Sequence, residues 1–337
     1  DLGARRRAVS PAPLPHALPE DLGVDALAGE QSFTQMQADL GNLTSFWTRS
    51  YRSAWGARSS DWLHGYVSEI VSAADPSVRI TVRRVEHAFP QKSLVVRSAP
   101  KLIILGAHQD SLNYKLPFYR APGADDDGSG TVALLQVLRT LVGKTFTPPA
   151  GIAVELHWYA AEEGGLLGSQ DVAAEYERAG AKVVGMLQMD GLAVIKHGAT
   201  PKIGLFHDEV DKGLLDYVSG LIDAYLPIPW ALTGCGKRCG SDHMSWTRAG
   251  YRAAYVCEGL FEEMGEGYHT VNDTTDLREG EYSFEHLARF VKLVSTSIAR
   301  SRLPPSCALS TSHACSVCLG WATRCPCTTE VELLRPL

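Results

Sequence analysis

The chain has 337 residues, of which 45% are hydrophobic and 21% are charged, and its formal net charge at pH 7 is -6. These values are typical of a globular protein, and the mildly acidic balance argues against nucleic acid or an anionic membrane as the main partner. No apolar run reaches the roughly 18 to 20 residues that a membrane span needs, so no membrane partner is expected.

The two ends of the chain differ in composition from the middle. The first thirty residues show little hydrophobic periodicity, and they contain Arg5-Arg6-Arg7 and four prolines. We therefore predict a leader or pro-segment-like region over residues 1–42 and one folded domain over residues 43–300. Residues 301–337 contain five of the eight cysteines, and we expect a disordered or disulfide-linked extension there.

Between these ends, helical and strand patterns alternate along the chain. Helical spacing over residues 31–52 and 62–73 is followed by a strand pattern over residues 78–82. The later predictions are strands at 94–97 and 102–105, a helix after Asp125-Asp126-Asp127, a strand at 152–159, a helix at 169–178 and a strand at 183–189. This order predicts an α/β fold, a three-layer α/β/α sandwich around a mixed, mostly parallel central sheet.

Several polar side chains stand at the ends of predicted strands. His108 ends one strand, Glu162 and Glu163 follow the next, and Asp190 ends a third. Ligands of open α/β sheets bind beyond the carboxyl ends of the strands, so we expect these groups to converge. Oxygen and imidazole donors without a thiolate suit Zn²⁺ or another borderline divalent ion.

Six separated motifs make this interpretation more specific. They are GAHQD at 106–110, APGADDDGSG at 121–130, YAAEEG at 159–164, LQMD at 187–190, SDH at 241–243 and HTVNDT at 269–274. In this order they resemble the metal motifs of the di-zinc leucyl aminopeptidases that bacteria and fungi secrete, which are zinc-dependent exopeptidases. The resemblance runs from about residue 43 to about residue 300, and it implies an enzyme that hydrolyses the N-terminal bond of peptides with a free amine.

The resemblance also implies two Zn²⁺ ions per chain and a set of five ligands. Asp126 would bridge the two ions. His108 and Asp190 would complete one site, and Glu163 and His269 would complete the other. A water that bridges two metal ions has a lowered pKa, and the ions can polarise the scissile carbonyl.

Other residues take supporting roles by the same resemblance. Glu162 would be the general base that acts on the bridging water. Asp110 would bond the far nitrogen of His108, and Asp273 would do the same for His269. A non-proline cis peptide bond after Asp126 is also implied.

The pocket for the first residue of the substrate departs from the family pattern. The resemblance places Gly191, Cys257, Phe261, Met264 and Tyr268 around this pocket. Relatives usually carry Met at the position of Gly191, so we expect a wider cavity and an apolar first residue such as Leu, Met or Phe. Lys237 stands where relatives carry a tyrosine, and it is either an electrophile or a solvated side chain.

The cysteines and the N-glycosylation triplets indicate the compartment in which the protein resides. Cys235 and Cys239 are flanked by glycines and can close a short loop as a disulfide, which needs an oxidising compartment. Cys257 is predicted to be a buried free thiol. Asn42 and Asn272 begin N-glycosylation triplets. With the resemblance, these features predict a secreted, extracellular and monomeric protein; any secretory signal of a precursor would lie upstream of Asp1.

Two alternatives stay open at this point. The first is another hydrolase on the same scaffold, such as a carboxypeptidase, a deacylase or a single-zinc glutaminyl cyclase. The second is a binding protein that has kept the fold and lost the metals. An acidic site favours an aminopeptidase over a carboxypeptidase, which would need an arginine for the substrate carboxylate. Serine chemistry lacks support because the sequence has no Gly-x-Ser-x-Gly elbow.

Overall fold

The computed structural model describes residues 32–97, 102–116, 118–143, 153–236, 239–264, 267–276 and 280–300. The predicted extension over residues 301–337 and most of the predicted leader lie outside these residues. Among the helices of the described part, none is both long and apolar enough to cross a membrane.

The described chain contains seven α-helices and eight β-strands. The helices are α1 (Phe33–Ser45), α2 (Ala54–Ser72), α3 (Gly128–Gly143), α4 (Leu167–Arg178), α5 (Lys212–Tyr225), α6 (His243–Arg248) and α7 (Phe284–Arg300). The strands are β1 (Thr81–Val85), β2 (Ser93–Arg97), β3 (Leu102–His108), β4 (Ala153–Tyr159), β5 (Val183–Met189), β6 (Ile203–Phe206), β7 (Trp230–Thr233) and β8 (Ala253–Cys257).

Serine side chains determine where the first two helices begin. The Ser32 hydroxyl accepts a hydrogen bond from the backbone N–H of Gln35, and Ser53 caps α2 by accepting from Gly56. A serine at this position satisfies a backbone donor that the first helical turn leaves free. Because this cap lies at Ser53, α2 begins at residue 54, whereas the sequence prediction placed its start at residue 62.

All eight strands form one sheet in the order β1-β2-β4-β3-β5-β8-β6-β7. The pairs at the centre, from β4 through β3 and β5 to β8, are parallel, whereas β1, β2 and β6 introduce antiparallel pairs. The register pairs His108 with Tyr159 and Gly106 with Gln188, so the carboxyl ends of β3, β4 and β5 lie side by side.

Helices cover both faces of this sheet. One large core joins alternate strand residues such as Leu105 and Leu156 to α1, α2, α3, α5 and α7. A second core joins residues such as Ile104 and Met186 to α4 and to Trp246 of α6. Neighbouring residues of one strand thus enter different cores, as the two-residue period of a strand requires. The predicted three-layer α/β/α sandwich with a mixed sheet is confirmed.

The described fold extends further towards the N-terminus than the predicted domain boundary. The boundary at residue 42 falls inside α1, whose Met36, Leu40 and Leu43 are buried in the large core. Helical spacing is predicted from residue 31, so a boundary at residue 42 divides a helix whose apolar face belongs to the core. Separation of an earlier leader from the domain stays a prediction.

His286 of α7 ties this last helix to the end of β8. Its Nε2 donates to the carbonyl of Glu258 at 2.9 Å, and its Nδ1 lies 3.2 Å from Arg289 Nη1. Both ring nitrogens are thus satisfied in the neutral form, and a proton on Nδ1 would face the guanidinium. Burial, reinforced by the Arg289 charge, lowers the pKa of His286 to about 4.

This shift predicts a specific acid sensitivity of the fold. Unfolded histidine takes a proton near pH 6.5, whereas folded His286 stays neutral down to about pH 4. The unfolded chain therefore binds more protons in this window, and the free energy of unfolding falls as the pH decreases. From pH 7 to pH 5 we expect His286 to account for about 2 kcal/mol of that loss. Urea unfolding of the wild type and of His286→Gln at both pH values measures it; equal losses in the two proteins would contradict the assignment.

Candidate metal centre

Five sequence-predicted ligands meet at the carboxyl ends of the central strands. His108 is the last residue of β3, Asp190 follows β5, and Glu163 lies in the turn that follows β4. Asp126 precedes α3, and His269 lies in the segment between β8 and α7. The parallel pairing of β4, β3 and β5 brings three of these positions to one edge, and two loops supply the others.

These side chains form two groups that share one carboxylate. His108, Asp126 and Asp190 make one group that could hold a metal ion, and Asp126, Glu163 and His269 make the other. Asp126 Oδ1 lies 3.0 Å from His108 Nε2, while its Oδ2 lies 2.8 Å from His269 Nε2. The two oxygens of Asp126 therefore face different groups.

The donors within each group fit a divalent cation. Although His108 is buried and its ring lies beside carboxylates, neither ring nitrogen makes a hydrogen bond to the described residues, and Glu163 Oε1 also lacks one among them. A buried polar atom without a partner is uncommon unless an ion or water completes it. Two imidazoles and three carboxylates without thiolate match the donor preferences of Zn²⁺.

Backbone geometry at the site is unusual in three places. The Asp126–Asp127 peptide bond is cis, which confirms the prediction made from the resemblance. Ala161 and His269 have φ values of 56° and 55°, a region that residues with a side chain seldom adopt. These positions lie immediately before the Glu162–Glu163 pair and at a candidate ligand.

Electrostatics dominate the site because many carboxylates are buried together. Burial raises the pKa of Glu162 well above its usual range, and the charges of Glu163 and Asp242 add to this shift. Burial and the neighbouring Asp126 raise the pKa of Glu163 to about 7. Burial opposes a charge on His269, yet Asp126 and Glu163 outweigh it and raise the pKa of His269 to about 12. The site thus favours bound positive charge.

Asp110 contacts two parts of the site. Its Oδ1 lies 3.4 Å from His108 Nδ1, the nitrogen opposite the one that faces Asp126. The same carboxylate accepts the backbone N–H groups of Glu162 at 3.0 Å and Glu163 at 3.3 Å. Asp110 therefore connects the position of His108 to that of the two glutamates.

The expected contact between Asp273 and His269 is wrong. Asp273 instead accepts the backbone N–H groups of Asp125 at 2.9 Å and Asp126 at 3.1 Å, and His269 Nδ1 has no hydrogen-bond partner in the described structure. Asp273 is buried, and both of its carboxylate oxygens accept hydrogen bonds from the segment before the cis peptide. It holds the Asp126 backbone rather than the imidazole.

Two residues that the sequence interpretation missed hold the surrounding loops. Arg49 is fully buried and donates to the carbonyl oxygens of Gln109, Pro122 and Gly123. Burial lowers its pKa, and the carboxylates of Asp273 and Asp110 oppose that shift. Asp127 accepts the backbone N–H of His108 at 2.9 Å. Only the three-dimensional fold shows either role.

A cavity of about 700 Å³ opens beside the candidate ligands. Of the predicted pocket residues, Phe261, Met264 and Tyr268 line it. The sequence interpretation missed Phe206, Met244 and Tyr255, which also contribute apolar surface, since their elements lie far apart along the chain. The residues that line the cavity are Leu112, Tyr114, Asp126, Glu162, Glu163, Gly165, Leu166, Asp190, Phe206, Cys239, Gly240, Met244, Tyr255, Phe261, Met264, Tyr268 and His269.

Two predicted pocket residues are placed elsewhere. Cys257 is buried, and its thiol donates to the carbonyl of Gly259, so the predicted free thiol is confirmed but its place in the pocket lining is not. Gly191 does not widen the cavity, because the ring of Tyr268 occupies the adjoining space. A Cβ added at Gly191 would lie 2.0 Å from the Tyr268 hydroxyl oxygen.

Tyr268 is fixed in this position by buried carboxylates. Its hydroxyl donates to Asp125 Oδ2 at 3.1 Å or to Glu258 Oε1 at 3.3 Å. Burial and these acidic neighbours raise the pKa of Tyr268 well above its usual value, so the hydroxyl keeps its proton as a donor. One end of the apolar pocket is therefore formed by the Tyr268 ring, whose hydroxyl is hydrogen-bonded to buried carboxylates.

The loop beside the cavity is closed by a disulfide between Cys235 and Cys239, as predicted. Lys237 lies outside the described residues, so its two possible roles stay open. Asn42 and Asn272 are both exposed, as a sugar acceptor must be, and their glycosylation stays a prediction.

A Ser93–His87–Asp171 chain has the order of contacts of a serine hydrolase triad. His87 lies 2.8 Å from the Ser93 hydroxyl and 2.7 Å from Asp171. The serine is buried, however, and its oxygen accepts the backbone N–H of Ala160 at 2.9 Å. These three hydrogen-bonded side chains thus hold the end of β4, and they present no accessible nucleophile.

The chain is similar to known peptidases over most of its length. Residues 93–292 match the model of peptidase family M28. The chain is 40% identical over 273 residues to leucine aminopeptidase 1 of Metarhizium robertsii, covering 78% of this chain and 68% of that protein. It is 39% identical over 282 residues to leucine aminopeptidase 1 of Trichoderma harzianum, covering 80% and 70% respectively.

A solved structure shows the same architecture. The LapA aminopeptidase of Legionella pneumophila superposes with a TM-score of 0.77 at 29% sequence identity, over 86% of this chain and 74% of that one.

The contact between Gly191 and Tyr268 predicts a stability difference between two glycine variants. Gly191 and Gly198 both have positive φ, 63° and 81°, but a Cβ at Gly198 would meet no atom within 4 Å. We expect Gly198→Ala to lower the free energy of unfolding by about 1 kcal/mol through backbone strain alone. Gly191→Ala should cost about 1–3 kcal/mol more because Tyr268 must move. Equal urea midpoints for the two variants would contradict this packing.

Proposed function

The chain belongs to peptidase family M28, and on that premise we propose that it is a di-zinc aminopeptidase that removes apolar N-terminal residues from peptides. One observation carries the proposal: two donor groups share Asp126 at the edge of an acidic cavity that also has an apolar wall. His108 and Asp190 would complete one zinc site, and Glu163 and His269 the other.

The charge of the cavity supports recognition of a free amine. Asp126, Glu162, Glu163 and Asp190 line it, and none of the described lining residues is Lys or Arg. A carboxypeptidase would need a cation to bind the substrate carboxylate, whereas an α-amine is attracted by these acids. This arrangement favours the chain end that carries an amine over the end that carries a carboxylate.

Glu162 is suited to move the proton of the reaction. Its carboxylate lines the cavity next to Glu163, and its backbone is fixed by Asp110. Burial raises its pKa, which makes the carboxylate a better proton acceptor than an exposed glutamate. We assign to Glu162 the removal of a proton from the attacking water and its delivery to the leaving amine. The zinc ions, when bound, supply Lewis acidity that activates the water and polarises the scissile carbonyl.

The apolar wall supports the choice of substrate. Phe206, Phe261, Met264 and Tyr268 surround the space beside the ligands with aromatic and thioether surface. Burial of a Leu, Met or Phe side chain there is favourable by about 1.5–3 kcal/mol. A first residue of this kind is therefore the proposed preference.

The proposal extends to the compartment. The Cys235–Cys239 disulfide persists in oxidising surroundings, and Asn42 and Asn272 are exposed. We propose a secreted, extracellular and monomeric enzyme that carries sugar at one or both asparagines.

The first test compares a free and a blocked amine on the same leaving group. We expect hydrolysis of leucine p-nitroanilide, no hydrolysis of its N-acetylated form, loss of activity with a chelator and recovery with added zinc. The dependence on the free amine follows from the acidic cavity. Preference for the acetylated substrate would overturn the proposal and indicate a deacylase.

Single substitutions separate the base from the ligands. Glu162→Gln should keep both zinc ions, as counted by plasma mass spectrometry, and lose about 10²–10⁴-fold in kcat because the proton acceptor is gone. Asp126→Asn should lose zinc because it weakens both groups at once. Asp276→Asn, an exposed acid of the His269 segment, is the matched control and should keep zinc and activity. Near-normal turnover of Glu162→Gln, or full zinc content in Asp126→Asn, would contradict these roles.

A further inference from the structure

The residues that line the cavity come from two sides of β5. In the sheet order, β4 and β3 lie on one side of β5, and β8 and β6 lie on the other. Phe206 ends β6 and Tyr255 belongs to β8, and they supply lining on the second side. Leu112 follows β3 and Leu166 follows β4, and they supply lining on the first side.

These two sides differ in how open they are. Phe206 is 1% exposed and Tyr255 is 3% exposed, and both belong to a buried cluster with Cys257. A peptide chain cannot continue through this side, so it suits the side chain of the first residue. On the other side Tyr114 also lines the cavity and is 73% exposed. The rest of a bound peptide must leave over the side formed by β3 and β4.

Four exposed aromatic residues either lie in the segment that carries Tyr114 or are hydrogen-bonded to it. Tyr114, Phe118 and Tyr119 lie in the segment after β3, and Trp47 lies between α1 and α2; we call these four residues the aromatic rim. Phe118 is 59% exposed, Trp47 49% and Tyr119 48%. Clustered exposed aromatic surface costs free energy in water and marks a binding surface more often than isolated exposed residues do.

The backbone that carries the aromatic rim is held in place. Tyr114 donates its N–H to the carbonyl of His269 at 3.0 Å, and its ring packs edge-on against the His269 ring at 4.4 Å. The Trp47 indole donates to the Phe118 carbonyl at 3.1 Å, and the Asn113 amide donates to the Arg120 carbonyl at 2.8 Å. A preorganised surface loses less conformational entropy when a ligand binds.

We propose that the aromatic rim binds the residues of a peptide substrate that follow the scissile bond. Tyr114, which adjoins the candidate ligand His269, contacts the side chain of the second residue. Phe118 and Trp47 contact residues further along the peptide. The enzyme therefore favours peptides with an aromatic or large apolar second residue, and this inference rests on the proposed aminopeptidase function.

The test uses zinc-loaded enzyme and substrates with the same first residue. Initial rates with Leu-Phe-Ala and Leu-Gly-Ala give kcat/KM for each, with leucinamide as the substrate that lacks a second residue. For the wild type we expect roughly a tenfold preference for Leu-Phe-Ala, the size of one well-buried apolar contact. Tyr114→Ala should reduce this ratio to about threefold or less. Tyr114→Phe retains the ring and should retain the preference.

Val184 provides a surface control for the Tyr114 variants. Val184→Ala removes an exposed apolar side chain at the opposite end of β5, and it should leave the ratio at the wild-type value. Equal kcat/KM for both tripeptides in the wild type would overturn the inference while leaving the aminopeptidase function intact. An equal loss on all three substrates in Tyr114→Ala would also overturn it, since that variant would then act only through His269. Absence of hydrolysis of all three by the wild type would instead overturn the proposed function itself.

Discussion

The structure depends on the accumulation of buried carboxylates at one edge of the sheet. Desolvation and mutual repulsion raise the pKa values of Glu162, Glu163 and Asp273. Such a cluster is stable only where cations or N–H donors face it. The surrounding chain supplies both: the imidazoles of the two candidate ligands, the buried guanidinium of Arg49, whose charge interacts with several of these carboxylates, and backbone N–H groups of the loops themselves.

The same acids that shape the local charge also fix the chain around them. Asp110 receives the N–H groups of the paired glutamates, Asp127 receives that of His108, and Asp273 receives those of the segment before the cis peptide. A carboxylate that accepts backbone hydrogen bonds is held in one orientation, and it holds that backbone in return. The candidate ligands are thus positioned by acidic residues that do not themselves line the cavity. The same carboxylates determine both the local charge and the backbone conformation of the site.

The sequence predicted the parts of this arrangement that follow from the order of strands. Alternation of strands and helices placed His108, Glu163 and Asp190 at one edge, because carboxyl ends of neighbouring parallel strands must meet there. Asp126 and His269 lie in loops, and only the resemblance to known motifs identified them. Arg49 was missed because its partners are carbonyl groups sixty or more positions away, a contact without a local pattern. The assignment of Asp273 to His269 rested on the resemblance and failed, since a matching motif does not determine where a carboxylate points.

The shape of the pocket beside Gly191 could not be predicted from the identity of that residue alone, because Tyr268 fills the space. The space beside Gly191 is taken by an aromatic ring from a distant segment, whose hydroxyl is anchored to Asp125 and Glu258. A change at either position alone leaves a collision or a void, so the effects of substitutions at the two sites are not additive. A larger residue at position 191 and the present position of Tyr268 exclude each other, so the two sites behave as one unit in any redesign of the pocket. Enlarging position 191 is expected to be tolerated only together with a smaller side chain at position 268.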